Sequence, residues 1–160
     1  MASMDIYQVI EEFLDLIENG RGSVHANEAA LVLLLDKLAL AWHAAKSDFD
    51  DSEYPDSPPW GDQDRLRKKI CHLFPNYGFY NIALNISVNI GYDKMGTGDA
   101  IDDILDITNE MYEVQWRWLH TSHDDALWYF HWSYGGHWGE HLRALQLYLY
   151  DDTYERGLFT

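Results

Sequence analysis

His137 and His141 stand four residues apart in SHDDALWYFHWSYGGHWGEHLRALQLYLY, the run over residues 122–150 that otherwise reads as one long helix. One helical turn separates them, so both imidazoles can converge on a single atom, as two ligands of one metal ion or as two members of a hydrogen-bonded network. A wheel drawn through the run puts His131, His137 and His141 on the apolar stripe with Leu127, Phe130, Tyr134, Trp138, Leu142, Leu145, Tyr148 and Leu149. Tyr129, Glu140 and Arg143 fall outward on the same wheel. His137 and His141 are therefore expected to be largely buried, with at least one ring nitrogen bonded to a group from another helix. The inward-capable acids are Glu28 and Asp36 on an earlier helix and Asp103 at the margin of the preceding one. Glu28, Asp36, Tyr134, Trp138, His137 and His141 make the candidate polar cluster, and His137, His141 and Asp103 the candidate metal ligands. HWGEH is not the zincin arrangement, because Trp138 stands where that motif needs its general base.

Three glycines in five residues, Gly135, Gly136 and Gly139, cost about 1 kcal/mol each against alanine inside a helix. Either another element or a ligand comes close on that flank, or the helix breaks there. Asp102, Asp103 and Asp106 form a DDxxD that would suit magnesium held for phosphate chemistry, but Asp102 and Asp106 fall on the outward side with no cluster of Lys or Arg beside them. Acids near a helix N-terminus account for them. No GxSxG, P-loop, CxxC or dinucleotide fingerprint occurs.

Five helices are expected to position these residues. The first carries Ile6, Ile10, Phe13 and Ile17 on one face and stops at Asn19-Gly20; the second, over about residues 27–46, is apolar nearly all round and reads as a central helix. Residues 47–62 form an acidic Pro/Ser-rich loop, followed by a short helix over about residues 62–74. Leu84, Ile86, Val88 and Ile90 alternate with polar residues, so the 76–98 region reads as loop with an extended segment near 82–90. That strand needs a partner, either near residues 79–81 or in a second copy, which would make a homodimer through 82–90. After a turn at GTGD, Asp99 caps a fourth helix to about residue 120, and Ser122 with Asp125 opens the last. The expected fold is an all-α bundle forming one domain over residues 1–160, with the second and final helices at its centre.

The 27 acidic against 11 basic residues give a formal charge of -16, which excludes nucleic acid and anionic membranes as partners, since both require Lys and Arg to displace counterions. A basic protein fits better. A single cysteine, Cys71, precludes an intrachain disulfide and is expected to be a buried thiol. With no signal peptide and no apolar run near membrane-spanning length, the cytoplasm is the expected compartment.

Asp102-Asp103-Ile104-Leu105-Asp106-Ile107, followed by Ala126-Leu127-Trp128, Ser133-Tyr134 and His137-Trp138-Gly139-Glu140-His141, resembles the bacterial family known as domain of unknown function 5063. The resemblance covers roughly residues 98–149. It implies an all-helical fold and supplies no activity, cofactor or site residue.

Two readings follow. The first is a non-enzymatic, acidic, cofactor-free protein that binds a basic partner, in the manner of small bacterial immunity proteins. The second is a divalent-metal-binding protein or metal-dependent hydrolase built on His137 and His141. The first makes a kinetic prediction: association with a basic partner should slow steeply as salt rises, because exposed charges are screened beyond about 8 Å at physiological ionic strength. Stopped-flow association rates that do not change with salt would contradict it.

Overall fold

The computed structural model describes residues 4–59 and 61–159; Trp60, within the expected 47–62 loop, lies outside them. The protein is predominantly helical, with one two-stranded sheet. Helix α1 (Ile6–Asn19) is capped by Asp5, buries Ile10, Phe13 and Ile17, and stops at Gly20, whose φ of 66° and N–H bond to Leu16 O end the turn. Helix α2 (Val24–Ala44) starts at Ser23 and lies along α1. Helix α3 (Gln63–Leu73) begins at Asp62, after the expected loop.

The extended segment lies earlier than its alternating pattern indicates. Strand β1 (Phe79–Ala83) pairs antiparallel with β2 (Met95–Asp99), from Phe79 opposite Asp99 to Ala83 opposite Met95. The expected GTGD turn is thus itself a strand, and the chain turns at residues 84–94 instead. Leu84, Ile86, Val88 and Ile90 are exposed on this connection. Asn89 adopts a left-handed φ of 56° and Asp93 ties back to the Asn85 backbone at 2.5 Å, both of which interrupt an extended path. The partner that the strand requires is found within the chain, so the backbone need that suggested pairing with a second copy is already met.

Helix α4 (Ala100–His120), capped by Asp99, packs against α1, α3 and the last helical rod, and it is the hub of the bundle. This corrects the placement of α2 at the centre. Its all-round apolar pattern leaves Val32, Leu33 and Leu40 facing solvent, while Leu31, Leu34, Leu35 and Leu38 are buried. Cys71, expected to be buried, is exposed.

The last rod has a one-residue slip. Helix α5 (His123–Ser133), started by Ser122, runs into a π-helical turn (Tyr134–Trp138) and continues as α6 (Gly139–Glu155). The buried positions record it: Ala126, Phe130 and Ser133 line the inner face of α5, then Trp138, Leu142, Leu145 and Leu149 line that of α6, with a step of five between Ser133 and Trp138. Extrapolating one α-helical wheel across that step misplaces residues before it. His131 is exposed and Tyr129 buried, opposite to expectation. Two indoles serve the carbonyls just before the turn, Trp138 Nε1 donating to Phe130 O and Trp42 Nε1 to His131 O, each at 3.2 Å.

The three glycines of this rod have different reasons to be there. A Cβ on Gly139 would lie 2.5 Å from Tyr134 O, the carbonyl that accepts Gly139's own N–H across the π turn, and 2.9 Å from the Tyr134 ring. Gly135 and Gly136 face open space with negative φ. Gly135→Ala should therefore leave the fold intact and raise unfolding free energy by up to about 1 kcal/mol, whereas Gly139→Ala should destabilise by at least as much. Urea titration of the two variants checks the opposed signs.

Candidate metal centre

Along α4 the residues Asp103, Asp106, Glu110, Glu113 and Arg117 recur at alternating intervals of three and four, which places them on one stripe facing α5 and α6. Each meets a partner. Asp103 Oδ1 bonds His141 Nδ1 at 2.8 Å, and Asp106 Oδ2 lies 3.3 Å from His141 Nε2. Glu110 Oε1 bonds His137 Nδ1 at 2.6 Å, and Glu113 pairs with Arg117, which also binds Asp125 through two contacts of 3.0 Å.

Two tyrosines complete the arrangement. Tyr80 on β1 donates to Asp103 Oδ2 at 2.5 Å, and Tyr129 on α5 contacts Glu110 at 2.7 Å and Glu113 at 2.9 Å. Each histidine is thus backed by a carboxylate and each carboxylate by a phenol: Tyr80–Asp103–His141 and Tyr129–Glu110–His137. Burial, then the adjoining carboxylate, holds the proton on both phenols well above the usual tyrosine range. The Asp103 carboxylate raises the His141 pKa, against the opposing effect of burial.

The hairpin delivers Tyr80. Its cross-strand neighbour is Gly98, where a Cβ would sit 2.3–2.7 Å from the Tyr80 ring. Only a residue without a side chain lets the ring lie flat over β2 and point its hydroxyl at Asp103.

With Nδ1 of each histidine engaged by a carboxylate, the Nε2 atoms are left to the centre. Asp106, His137 and His141 each offer a ligand atom, all within 4.8 Å of one another. Two imidazoles and one carboxylate suit zinc or iron(II), and a carboxylate behind each imidazole is the outer shell that orients such ligands.

Of the residues singled out by sequence, His137, His141 and Asp103 come together here, Asp103 behind His141. The histidines are less buried than their stripe implies: 46% of the His137 side chain and 27% of that of His141 are exposed, because the π turn swings this segment onto the flank facing α4. Glu28 is engaged elsewhere, with Arg156 and Asn76, and Asp36 is exposed and accepts from Gln146. Trp138 belongs to the core, and Tyr134 stacks on Trp42. Asp106, read within the DDxxD and set aside as outward, and Tyr129, placed outward, belong to the site, as do Glu110 and Tyr80, for which the sequence gives no role. The alternating spacing along α4 is the signal that marks Asp106 and Glu110; it reads as a solvated face until the histidines are placed over it.

Beside the centre runs a groove of about 790 Å³, lined by Asp106, Glu110, Glu113 and His137 on one side and by Pro58, Pro59, Leu66, Trp116 and Leu119 among others.

Comparisons with known proteins place the fold. A family model described as "Domain of unknown function (DUF5063)" matches residues 2–151. The crystal structure of protein BF1032 from Bacteroides fragilis superposes with a TM-score of 0.71 at 17% identity, covering 92% of this chain and 89% of that one. At that identity the likeness extends to the fold. No curated protein matches the sequence.

The Tyr80 arm yields a prediction. Tyr80→Phe removes a donor from the buried Asp103 carboxylate and should cost about 1–3 kcal/mol at neutral pH. Gly98→Ala should lose a comparable amount, because its Cβ and the Tyr80 ring cannot share one space. Denaturant midpoints in which both variants equal the parent would contradict this account.

Proposed function

This chain belongs to the domain of unknown function 5063 family, and we propose that it is a metalloprotein that binds one divalent transition-metal ion through Asp106, His137 and His141. The observation that carries the reading is the pairing of each histidine's Nδ1 with a carboxylate of α4, at 2.6 Å for His137 and 2.8 Å for His141, in a cluster where Asp106, His137 and His141 each offer a ligand atom within 4.8 Å of the others. His141 Nε2 already lies 3.3 Å from Asp106 Oδ2, so the centre brings an imidazole nitrogen and a carboxylate oxygen within reach of one ion. Three protein ligands leave coordination positions for water or substrate, and the adjoining groove gives access to them. These features favour Lewis-acid chemistry, hydrolysis in particular, over a purely structural ion. Docking of a basic partner on the acidic surface is supported by net charge, which bears on association rate more than on the identity of a site.

Chelator-stripped protein should take up one equivalent of zinc or cobalt(II), measured by mass spectrometry of the intact protein and by elemental analysis, and its melting temperature should rise with metal concentration. His141→Ala or Asp106→Ala should abolish uptake while the helical circular-dichroism signal persists. Asp103→Asn and Glu110→Gln, which act through the histidines, should weaken metal affinity by about 10- to 100-fold. Retention of full uptake by His141→Ala would refute the assignment.

A further inference from the structure

The groove beside the centre is contiguous with it, since Asp106 and His137 line both. From that end it follows α4 to His120, about 21 Å at 1.5 Å per residue. Its volume of about 790 Å³ is in the range of small-molecule sites, roughly 300–1,000 Å³. Beyond the centre, apolar residues stand among polar ones such as Gln63, Asn109 and Gln115. Pro58 and Pro59 come from the loop preceding α3, Leu66 from α3, and Trp116 and Leu119 from α4.

Charge narrows the ligand further. Among the described residues lining the groove, Arg65 is the one Lys or Arg side chain, and it lies in the field of Glu18, together with Lys69. Glu113 is matched by Arg117. The carboxylates lining the groove without a Lys or Arg side chain against them are Asp106 and Glu110, at the end where the metal would sit, and Asp62, which caps α3. A phosphate or sulfate group would meet a single Lys or Arg side chain, Arg65, along this path. A ligand with its polar group at the metal and an uncharged apolar body along Pro58, Pro59, Leu66, Trp116 and Leu119 matches the apolar part of the lining.

We infer that the groove between α3, its preceding loop and α4 is the binding site for an amphipathic small molecule, with an oxygen-donor head ligating the metal at Asp106, His137 and His141 and an uncharged alkyl or aryl body lying against Trp116 and Leu119. This rests on the metal-centre reading and adds the ligand class to it. Neither Trp116 nor Leu119 has a part in the bundle's buried core, so an apolar wall at these positions is unexplained by folding alone.

Alkyl hydroxamates of increasing chain length test it, because the head is constant, ligates zinc-type ions through two oxygens and carries no charge before it binds. The full chain is loaded with cobalt(II), and binding is followed by the visible ligand-field spectrum and by calorimetry. Acetohydroxamate should perturb the spectrum weakly. Each of the first few added methylenes should tighten binding about fourfold, the equivalent of burying one CH₂. Trp116→Ala and Leu119→Ala should flatten that increment while leaving cobalt uptake and the acetohydroxamate response unchanged. Cobalt uptake with no dependence on chain length would overturn the groove assignment and leave the metal centre standing. Failure to bind cobalt would remove both. Equal affinity of octanohydroxamate for stripped and loaded protein would also overturn the inference, since the head would then owe nothing to the metal.

Discussion

Five ionisable side chains in a line on one helix must all find partners when a second helix closes over them, and much of this bundle is arranged around that requirement. Asp103, Asp106, Glu110, Glu113 and Arg117 supply four negative charges and one positive along a single face of α4. An unpaired buried carboxylate costs several kcal/mol, so α5 and α6 can pack there only if they present cations, phenols and imidazoles at matching heights. Arg117 answers Glu113 and Asp125 at one end, Tyr129 spans the middle, and His137 and His141 answer the other end. The π turn and the hairpin both serve this match. One adjusts the register of the rod by a residue, and the other brings Tyr80 in from outside the bundle.

The seam is an expensive way to join helices, and the stability comes from elsewhere. On its other faces α4 buries Ile104, Ile107, Met111 and Val114, which meet a core that includes Phe13, Ile17, Leu35, Ile70 and Phe130. Full burial of each such side chain contributes about 1.5–3 kcal/mol, against a net gain near zero for many buried ion pairs. An apolar seam of the same volume would hold the rods together at least as well. What the polar seam adds is register: aliphatic rows can slide by a turn, whereas a slide here strands a carboxylate opposite a leucine.

Local order was legible wherever one segment determines its own structure. Asp5, Ser23, Asp62, Asp99 and Ser122 cap helices, and Gly20 ends one. These are short-range effects that a sequence carries on its face. The misreadings occur where partners distant in the chain decide. Leu84 to Ile90 alternate like a strand, but pairing with residues 95–99 begins earlier, at Phe79, and the alternating stretch is left without a sheet to join. Leu33 and Leu40 have the composition of a buried helix, yet nothing in the described residues covers them. The helical spacing of His137 and His141 marks a pair whose companions it cannot supply: Glu28 and Asp36 are acidic but out of register, and the side of α4 that a wheel turns outward is the one that the last rod covers at Asp106.

The indoles of Trp42 and Trp138 lock the π turn in place. A π turn is an α-helix with one residue inserted, and a later deletion would ordinarily restore the straight form. Here the carbonyls of residues 130 and 131 have acquired donors from a core tryptophan five residues past Ser133 and from another helix. Deletion would move Trp138 out of line with Phe130 O and, in the same step, rotate the whole N-terminal half of the rod relative to α4. Removing the extra residue therefore breaks the indole contact and the polar seam at once, so the slip is held by two unrelated sets of partners.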